Sequence, residues 1–431
     1  MNGWRMPWWI GSKAKRMAAK EKLYVVGFGL GDDGLLTGQA KAAIASAQRV
    51  ISTGRIGSGI ARAHGLGLTE LIAALRQPAP GGTAVLVSGD CGFYSLAKII
   101  VRDFSELYQI HLIPGISSIQ YLSAAIQIPY DHAALVSLHG KSGNIVAIMS
   151  YQKQAFVLSG GANSARRICA ELSCSGLGSL RVIVGERLSY PDEQLTSGTA
   201  EQLADQDFDE LAVLYIANPA AHDPSRPLVD ADFMRSEVPM TKQEVRWLSV
   251  ARLGVAADDT VFDIGAGSGS VSIELARKAC SGRVLAIEKN PAALALIRQN
   301  VLKLGAFNVE LVAGEAPAAF AGLPAPNKAF IGGSAHNMDS ILGSLIAMNP
   351  EVGIVANAVT LQSLHQIIAG FEKHRLLDVE TVCVNIARSK RVGAYDMMLA
   401  QNPVYIVSGR ADGRLADQGA GSAVGQEAKD G

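Results

Sequence analysis

"FDIGAGSGSVSIELAR", residues 262–277, places Asp263-x-Gly265-x-Gly267-x-Gly269 between an apolar strand-like run and an amphipathic helix. Glycine lets the backbone turn tightly and come close to a ligand. The helix start beyond it offers free N–H groups. A dinucleotide site needs Gly-x-Gly-x-x-Gly or Ala. Here the register from Gly265 ends on Ser270, and the register from Gly267 ends on Ser272. The loop is built for a different nucleoside ligand.

Nearby acids indicate which ligand. Asp263 ends its strand where a pyrophosphate would approach, a position that repels phosphate but suits a sulfonium and an amino group. Glu288, in "VLAIEKN", ends the next strand and can accept both ribose hydroxyls of an adenosine. "VAGEAP" puts Glu315 and Ala316 after the third strand, where adenine would lie. Together they point to S-adenosylmethionine (SAM); the alternative is a glycine turn ringed by surface acids.

The surrounding chain is α/β. At 431 residues it exceeds one ordinary core, so two or three domains are expected. An apolar content of 48% with 45 glycines fits many strand–loop–helix turns. Lys+Arg and Asp+Glu both number 39, so no net charge draws the chain to nucleic acid or an anionic membrane. Five cysteines without a CxxC pair argue for a reducing, cytoplasmic setting and against a disulfide framework or structural zinc. The histidines show no metal spacing, so no metal is expected.

No apolar run nears the roughly 20 residues a membrane span needs. Residues 1–21 read as a disordered extension with Met17 as a second possible start; a short membrane-surface anchor is the alternative. The Gly/Ala/Asp-rich tail 410–431 reads as disordered.

From Lys22, "LYVVGFG", "RVIST", "GTAVLVSG" and "YQIHLIP" alternate with helical segments, predicting a mainly parallel sheet. A second set, "AALVSLHG", "AFVLSG", "RVIVGERL" and "LAVLYIA", makes a second lobe, split from the first near Tyr130. These lobes span 22–218. Residues 219–239, proline-rich and aperiodic, read as a linker. Residues 240–409 then give a helix and seven strands, one doubly wound domain.

The first half has its own glycine loop, "VVGFGLGDDG" (25–34), with Gly29-x-Gly31-x-x-Gly34 in dinucleotide spacing. Asp32 and Asp33 suit the positive end of a helix but repel phosphate. The acid expected about 20 residues on is missing: "VISTGRI" offers Thr53 and Arg55, so an NADP-dependent oxidoreductase using Arg55 stays open.

In the second half, "MTKQEVRWLSVARL", "FDIGAGSGSVSIELAR", "VLAIEKNPAALALIRQN", "GEAP", "FIGGS", "ANAVTLQSL", "VNIARS" and "NPVYIV" closely resemble the decarboxylating precorrin methyltransferases of cobalamin synthesis. In the first half, "VVGFGLGDDG", "LVSGDCGFYS" and "IPGISSIQYLSAA" resemble the tetrapyrrole methylases, which bind SAM between two α/β lobes. "VSLHGKSGN", "VLSGGANSARRI" and "VGERLSYPDEQLTSGT" narrow this to the branch that methylates carbon 5. Cys91 stands where that family usually has proline. Joined in this order, the halves resemble the fused precorrin-6B C(5,15)-methyltransferase (decarboxylating) family.

The resemblance implies a two-lobed tetrapyrrole-methylase fold joined to a Rossmann-like, seven-stranded SAM methyltransferase domain, with one SAM per half. It implies cofactor contacts from Gly27, Gly29, Gly31, Ser88, Gly89, Asp90, Ser117 and Ser118, and from Thr241, Asp263, Gly265, Gly267, Gly269, Glu288, Glu315 and Ala316. The substrate would be a precorrin, methylated at carbons 5 and 15 and decarboxylated at the ring C acetate, by a homo-oligomer without nucleic-acid or membrane partners.

Methyl transfer from a sulfonium to an already nucleophilic bridge carbon asks mainly for positioning and a dry site. Arginines suit the substrate's carboxylates: Arg388, Lys390 and Arg391 in "IARSKRVG", and Lys141, Arg166 and Arg187 in the first half, though a solvated basic surface explains them equally. Candidate catalytic residues are His139, His336 and Arg388; for both histidines a structural role is the competing reading. The main functional alternative is a transfer-RNA-type methyltransferase, opposed by the neutral charge and the lack of basic stretches interleaved with aromatics.

Overall fold

The computed structural model describes residues 20–53, 60, 63–139, 143–333 and 337–413. The N-terminal extension up to residue 19, Arg55, Lys141, His336 and the tail beyond Gly413 lie outside the described residues. No described helix is long and apolar enough to cross a membrane.

The first sheet holds β1 (Glu21–Gly27), β2 (Arg49–Thr53), β3 (Ala63–Leu66), β4 (Thr83–Val87) and β5 (Tyr108–Ile113) in the order β3-β2-β4-β1-β5. Every pairing is parallel. Helices cover both faces: Leu71 and Ile100 pack on one, Ala40 and Ile44 on the other. A strand buried on both faces has no polar side, which is why β4, after Thr83, reads as the apolar run "AVLV".

The second sheet contains β6 (Ala134–Ser137), β7 (Gln154–Leu158), β8 (Arg181–Glu186), β9 (Gln194–Thr199) and β10 (Val213–Ala217), ordered β6-β7-β10-β8-β9. Only β6 and β7 run parallel; the other three pairings are antiparallel. The expectation of a mainly parallel arrangement therefore holds for the first lobe and not for this one. The reason is local: β8 and β9 form a hairpin, and β10 returns between β7 and β8. The helix Ser118–Ile126, which follows β5, packs Ile119 and Leu122 against this second sheet and so ties the lobes together.

The third sheet holds β11 (Thr260–Ile264), β12 (Arg283–Glu288), β13 (Val309–Ala313), β14 (Lys328–Ile331), β15 (Gly353–Ala358) and β16 (Leu377–Val384). A separate hairpin, β17 (Ala387–Val392) and β18 (Tyr395–Ala400), precedes β19 (Val404–Arg410). The order is β13-β12-β11-β14-β15-β19-β16, with β19 antiparallel to both neighbours. Seven strands were expected and seven form the sheet; the hairpin is additional. β19 includes Arg410 and Ala411 is buried, so the tail read as disordered from residue 410 is ordered at its start.

The proline-rich stretch before the third sheet is packed rather than loose. Leu228 and Phe233 are buried in the core of the second half. The Leu228 carbonyl accepts from Arg246 Nη2 (2.7 Å) and Trp247 Nε1 (3.0 Å), while its N–H donates to Glu274 (2.8 Å). Asn300 donates to Met234 O (3.3 Å) and accepts from Met234 N (2.7 Å). The halves also touch directly. Tyr151 Oη donates to Asn308 Oδ1 (2.9 Å), Asn144 Nδ2 donates to Gly282 O (2.9 Å), and Phe307 packs against cores of both halves.

Candidate functional site

The glycine loop of the second half joins β11 to the helix Ser270–Lys278. Gly265 has φ +74, and a Cβ there would lie 2.9 Å from the backbone of Gly333. Gly269 has φ +75 and would drive a Cβ into Ile297. A side chain at either position meets both left-handed strain and a filled neighbour. Gly267, between them, donates its N–H to Glu288 Oε2 at 2.9 Å. Glu288 Oε1 accepts from Asn290 N, also at 2.9 Å. Both carboxylate oxygens are thereby fixed at the C-terminal edge of β12.

Asp263 is fully buried beneath this loop. Ser272 donates to its Oδ2, while Oδ1 has no hydrogen-bond partner. Burial pushes its carboxyl up to about 7, and the Ser272 hydrogen bonds only partly oppose the rise. A buried acceptor without a donor is costly in a folded protein and needs an explanation. A ligand bearing an ammonium group supplies one.

A cavity of about 940 Å³ opens above the loop, near the upper end of the about 300–1,000 Å³ usual for small-molecule sites. Thr241, Asp263, Gly265 and Gly267 line it. Glu288, Gly269, Glu315 and Ala316 lie outside its lining: Gly269 backs onto Ile297, Glu315 is ion-paired with Lys289 at 3.0 Å, and Ala316 is buried. The opposite wall comes from the hairpin, through Arg388, Ser389, Lys390 and Leu399. Arg388 donates to Glu244 Oε2 (2.6 Å) and lies 3.5 Å from Asp230 Oδ2, so its charge is already matched. Arg391 points its charge at Asp396 (3.0 Å) and is not part of the lining.

In the first half, the three sequence motifs converge at the C-terminal ends of β1, β4 and β5. Gly29 and Gly89 exchange backbone hydrogen bonds, N to O, at 3.1 and 2.8 Å. A Cβ on Gly27 would lie 2.6 Å from Gly115 N and 2.8 Å from Gly89 O, so the three backbones touch. Asp90 holds the loops with its carboxylate, accepting from Gly115 N (3.1 Å) and Gly92 N (2.7 Å). Ser117 caps the helix Ser118–Ile126, accepting from Gln120 N at 3.2 Å. Ser88 is exposed beside this edge. Asp32 likewise caps a short turn, accepting from Gly34 N (2.7 Å), so its role is local.

Cys91, where proline is usual in the resembling family, fits without disturbing this convergence. Its thiol is buried between Val25 O (3.2 Å) and Ile113 O (3.1 Å), and burial raises its pKa. The second lobe reaches the first glycine loop through Tyr190, whose hydroxyl lies where a Cβ on Gly31 would be, within 2.5 Å. His139 is exposed, and its ring occupies the space over Gly160. Arg166 and Arg187 are paired with Asp207 (2.9 Å) and Asp192 (2.8 Å).

Residues 232–410 match the family described as Precorrin methyltransferase domain, and residues 22–204 match Tetrapyrrole (Corrin/Porphyrin) Methylases. A probable cobalt-precorrin-6B C(15)-methyltransferase (decarboxylating) of Pyrobaculum calidifontis is 38% identical over 185 residues, 42% of this chain and 94% of that protein. The chain belongs to the precorrin methyltransferase family. The precorrin-6Y C(5,15)-methyltransferase [decarboxylating] of Sinorhizobium sp is 29% identical over 332 residues, 76% of this chain and 78% of that protein. A crystal structure of a precorrin-6y C5,15-methyltransferase from Geobacter metallireducens has 40% identity and a TM-score of 0.41, covering 42% of this chain and 97% of that one.

Within this precorrin methyltransferase fold, several residues at the site had escaped sequence reasoning. Lys242 lines the cavity beside Thr241, and Tyr190 meets the first glycine loop. Arg246 is fully buried, 4.6 Å over the Phe233 ring and 3.2 Å from Asp230. It also donates to Thr241 O at 2.8 Å, which fixes the backbone at the cavity edge. The signal available was Lys242-Gln-Glu244-Val-Arg246, charges at alternating positions opening a helix.

Proposed function

We propose that the chain is a bifunctional SAM-dependent methyltransferase of cobalamin biosynthesis. It acts on precorrin-6B, methylating carbons 5 and 15 and releasing the ring C acetate carboxyl as carbon dioxide. The observation that carries this reading is the succession of the two family matches, 22–204 then 232–410, in one chain. The reading divides the chain into 22–218 for carbon 5 and 240–409 for carbon 15 and decarboxylation, each with its own SAM. It places the enzyme in the cytoplasm as a homo-oligomer, without nucleic-acid or membrane partners.

The second-half residues fit the cofactor. The Asp263 oxygen that lacks a donor suits an ammonium group, and Glu288, already fixed by Gly267 and Asn290, has lone pairs left for ribose hydroxyls. The backbone at Gly265 and Gly267 allows close approach. When bound, SAM supplies an electrophilic methyl group on a sulfonium. The chain's own task is to hold the nucleophilic bridge carbon in line with that methyl and to exclude water. For decarboxylation, the electrons of the breaking C–C bond pass into the macrocycle's imine system, and the protein holds the acetate in place.

Mass spectrometry of precorrin-6B incubated with the full chain and SAM tests this. The expected product has gained two methyl groups and lost one carbon dioxide. Unchanged substrate in the presence of SAM-loaded protein would overturn the assignment.

A further inference from the structure

Among the described residues lining the second-half cavity, Asp263 is the single acid, and Lys242, Arg388 and Lys390 are the cations. The three cations are not equivalent. Arg388 is held by Glu244 at 2.6 Å and by Asp230 at 3.5 Å, and Asp230 in turn carries the buried Arg246 at 3.2 Å. A substrate carboxylate would have to displace Arg388 from its close pair with Glu244, a competition that an unpaired lysine does not face. Lys242 and Lys390 are exposed, and neither lies in an ion pair with a described carboxylate. Lys242 is set at the cavity edge by the helix it precedes and by the pinned Thr241 carbonyl. Lys390 sits two residues from Arg388 on β17, on the same strand face.

We infer that Lys242 and Lys390 recognise peripheral carboxylates of a polycarboxylate tetrapyrrole, and that Arg388 is a positioning residue that braces the hairpin carrying Lys390. This rests on the proposed reading of the second-half site and adds who binds the substrate's acidic arms. An ammonium on a flexible stem tolerates carboxylates at varied angles, which suits side chains arrayed around a macrocycle. With Asp263 buried, the exposed part of the described wall carries positive charge and attracts a polyanion.

The test is equilibrium binding of a porphyrin octacarboxylate, and of its methyl ester, to the full chain with SAM present, read by fluorescence. The wild-type protein should bind the acid and not the ester. Lys242→Gln and Lys390→Gln should each weaken binding about ten-fold, and the pair about a hundred-fold. Lys→Arg at either position should retain binding, and Arg391→Gln, outside the cavity, should change nothing. Arg388→Gln should weaken binding in the wild-type background and add nothing once Lys390 is replaced. Equal affinity in the wild type and the double lysine variant would overturn the pair, and additive Arg388 and Lys390 effects would overturn the bracing role. Lysine-dependent porphyrin binding without turnover of precorrin-6B would overturn the proposed reaction and leave the pair standing.

Discussion

Glu288 accepts a hydrogen bond from the backbone N–H of Gly267 at 2.9 Å, so the acid at the end of one strand holds the glycine loop that follows its neighbour. Under the proposed reading the same carboxylate also accepts ribose hydroxyls. Glu288→Ala should lower SAM affinity by about 10- to 100-fold. Glu288→Gln, which keeps an acceptor, should lose less. Calorimetric titration with SAM checks both, and unchanged affinity in the alanine variant would count against the site.

Asp263 gives the site a pH dependence. Its carboxyl titrates at about 7 in the folded chain, against an ordinary value near 3.8. Between those values the unfolded chain has lost a proton that the folded chain keeps. Stability from this group is therefore complete below about pH 4 and falls as pH rises toward 7, by about 1.4 kcal/mol per pH unit. Asp263→Asn should flatten that slope in urea denaturation. A cation favours the ionised form, so SAM affinity should rise from pH 6 to 8 in the wild type and stay level in the variant.

Gly27 tests the independence of the halves. Any side chain there meets Gly115 and Gly89 backbone, not a movable group. Gly27→Ala should cost about 2–3 kcal/mol locally and abolish methylation by the first half. Product analysis should then show a single added methyl with carbon dioxide still lost. Loss of both methylations, with the protein folded, would argue against two separate centres.

Tyr151 and Asn308 join the halves through a buried hydrogen bond of 2.9 Å. Tyr151→Phe leaves the Asn308 oxygen without its donor and should destabilise the chain by about 1–3 kcal/mol. Asn308→Ala should cost more, because Asn308 also donates to the carbonyls of Ala276 (3.0 Å) and Ala279 (2.9 Å). Urea midpoints of the two variants, measured against wild type, decide the order.

The glycine loop at Gly265 and the acid at Glu288 were legible because spacing alone constrains how a strand, a turn and a helix can meet a ligand. Two of the edge strands were not. "AHGL" and "QLTSGT" form β3 and β9, where only one neighbour pairs and no apolar alternation is required. The hairpin Ala387–Ala400 was hidden for a related reason: Tyr395 and Met398 face outward, so no core imposes a period on it, and its first strand reads as a basic loop. The difference between Arg388 and Lys390 depends on Glu244, 144 positions away. No local pattern reveals which of two neighbouring cations is already taken.

The packed stretch ahead of the second half governs where the chain can be divided. A fragment starting at residue 232 would strip Arg246 and Trp247 of the Leu228 carbonyl. It would also deprive Arg277 of the carbonyls of Asp223 and Arg226, which it binds at 2.7 and 2.6 Å. Two buried guanidinium groups would then face the core with donors unmatched. A second half that keeps all of these hydrogen bonds begins at or before Asp223, so the cut that spares them falls close behind β10, well upstream of the third sheet.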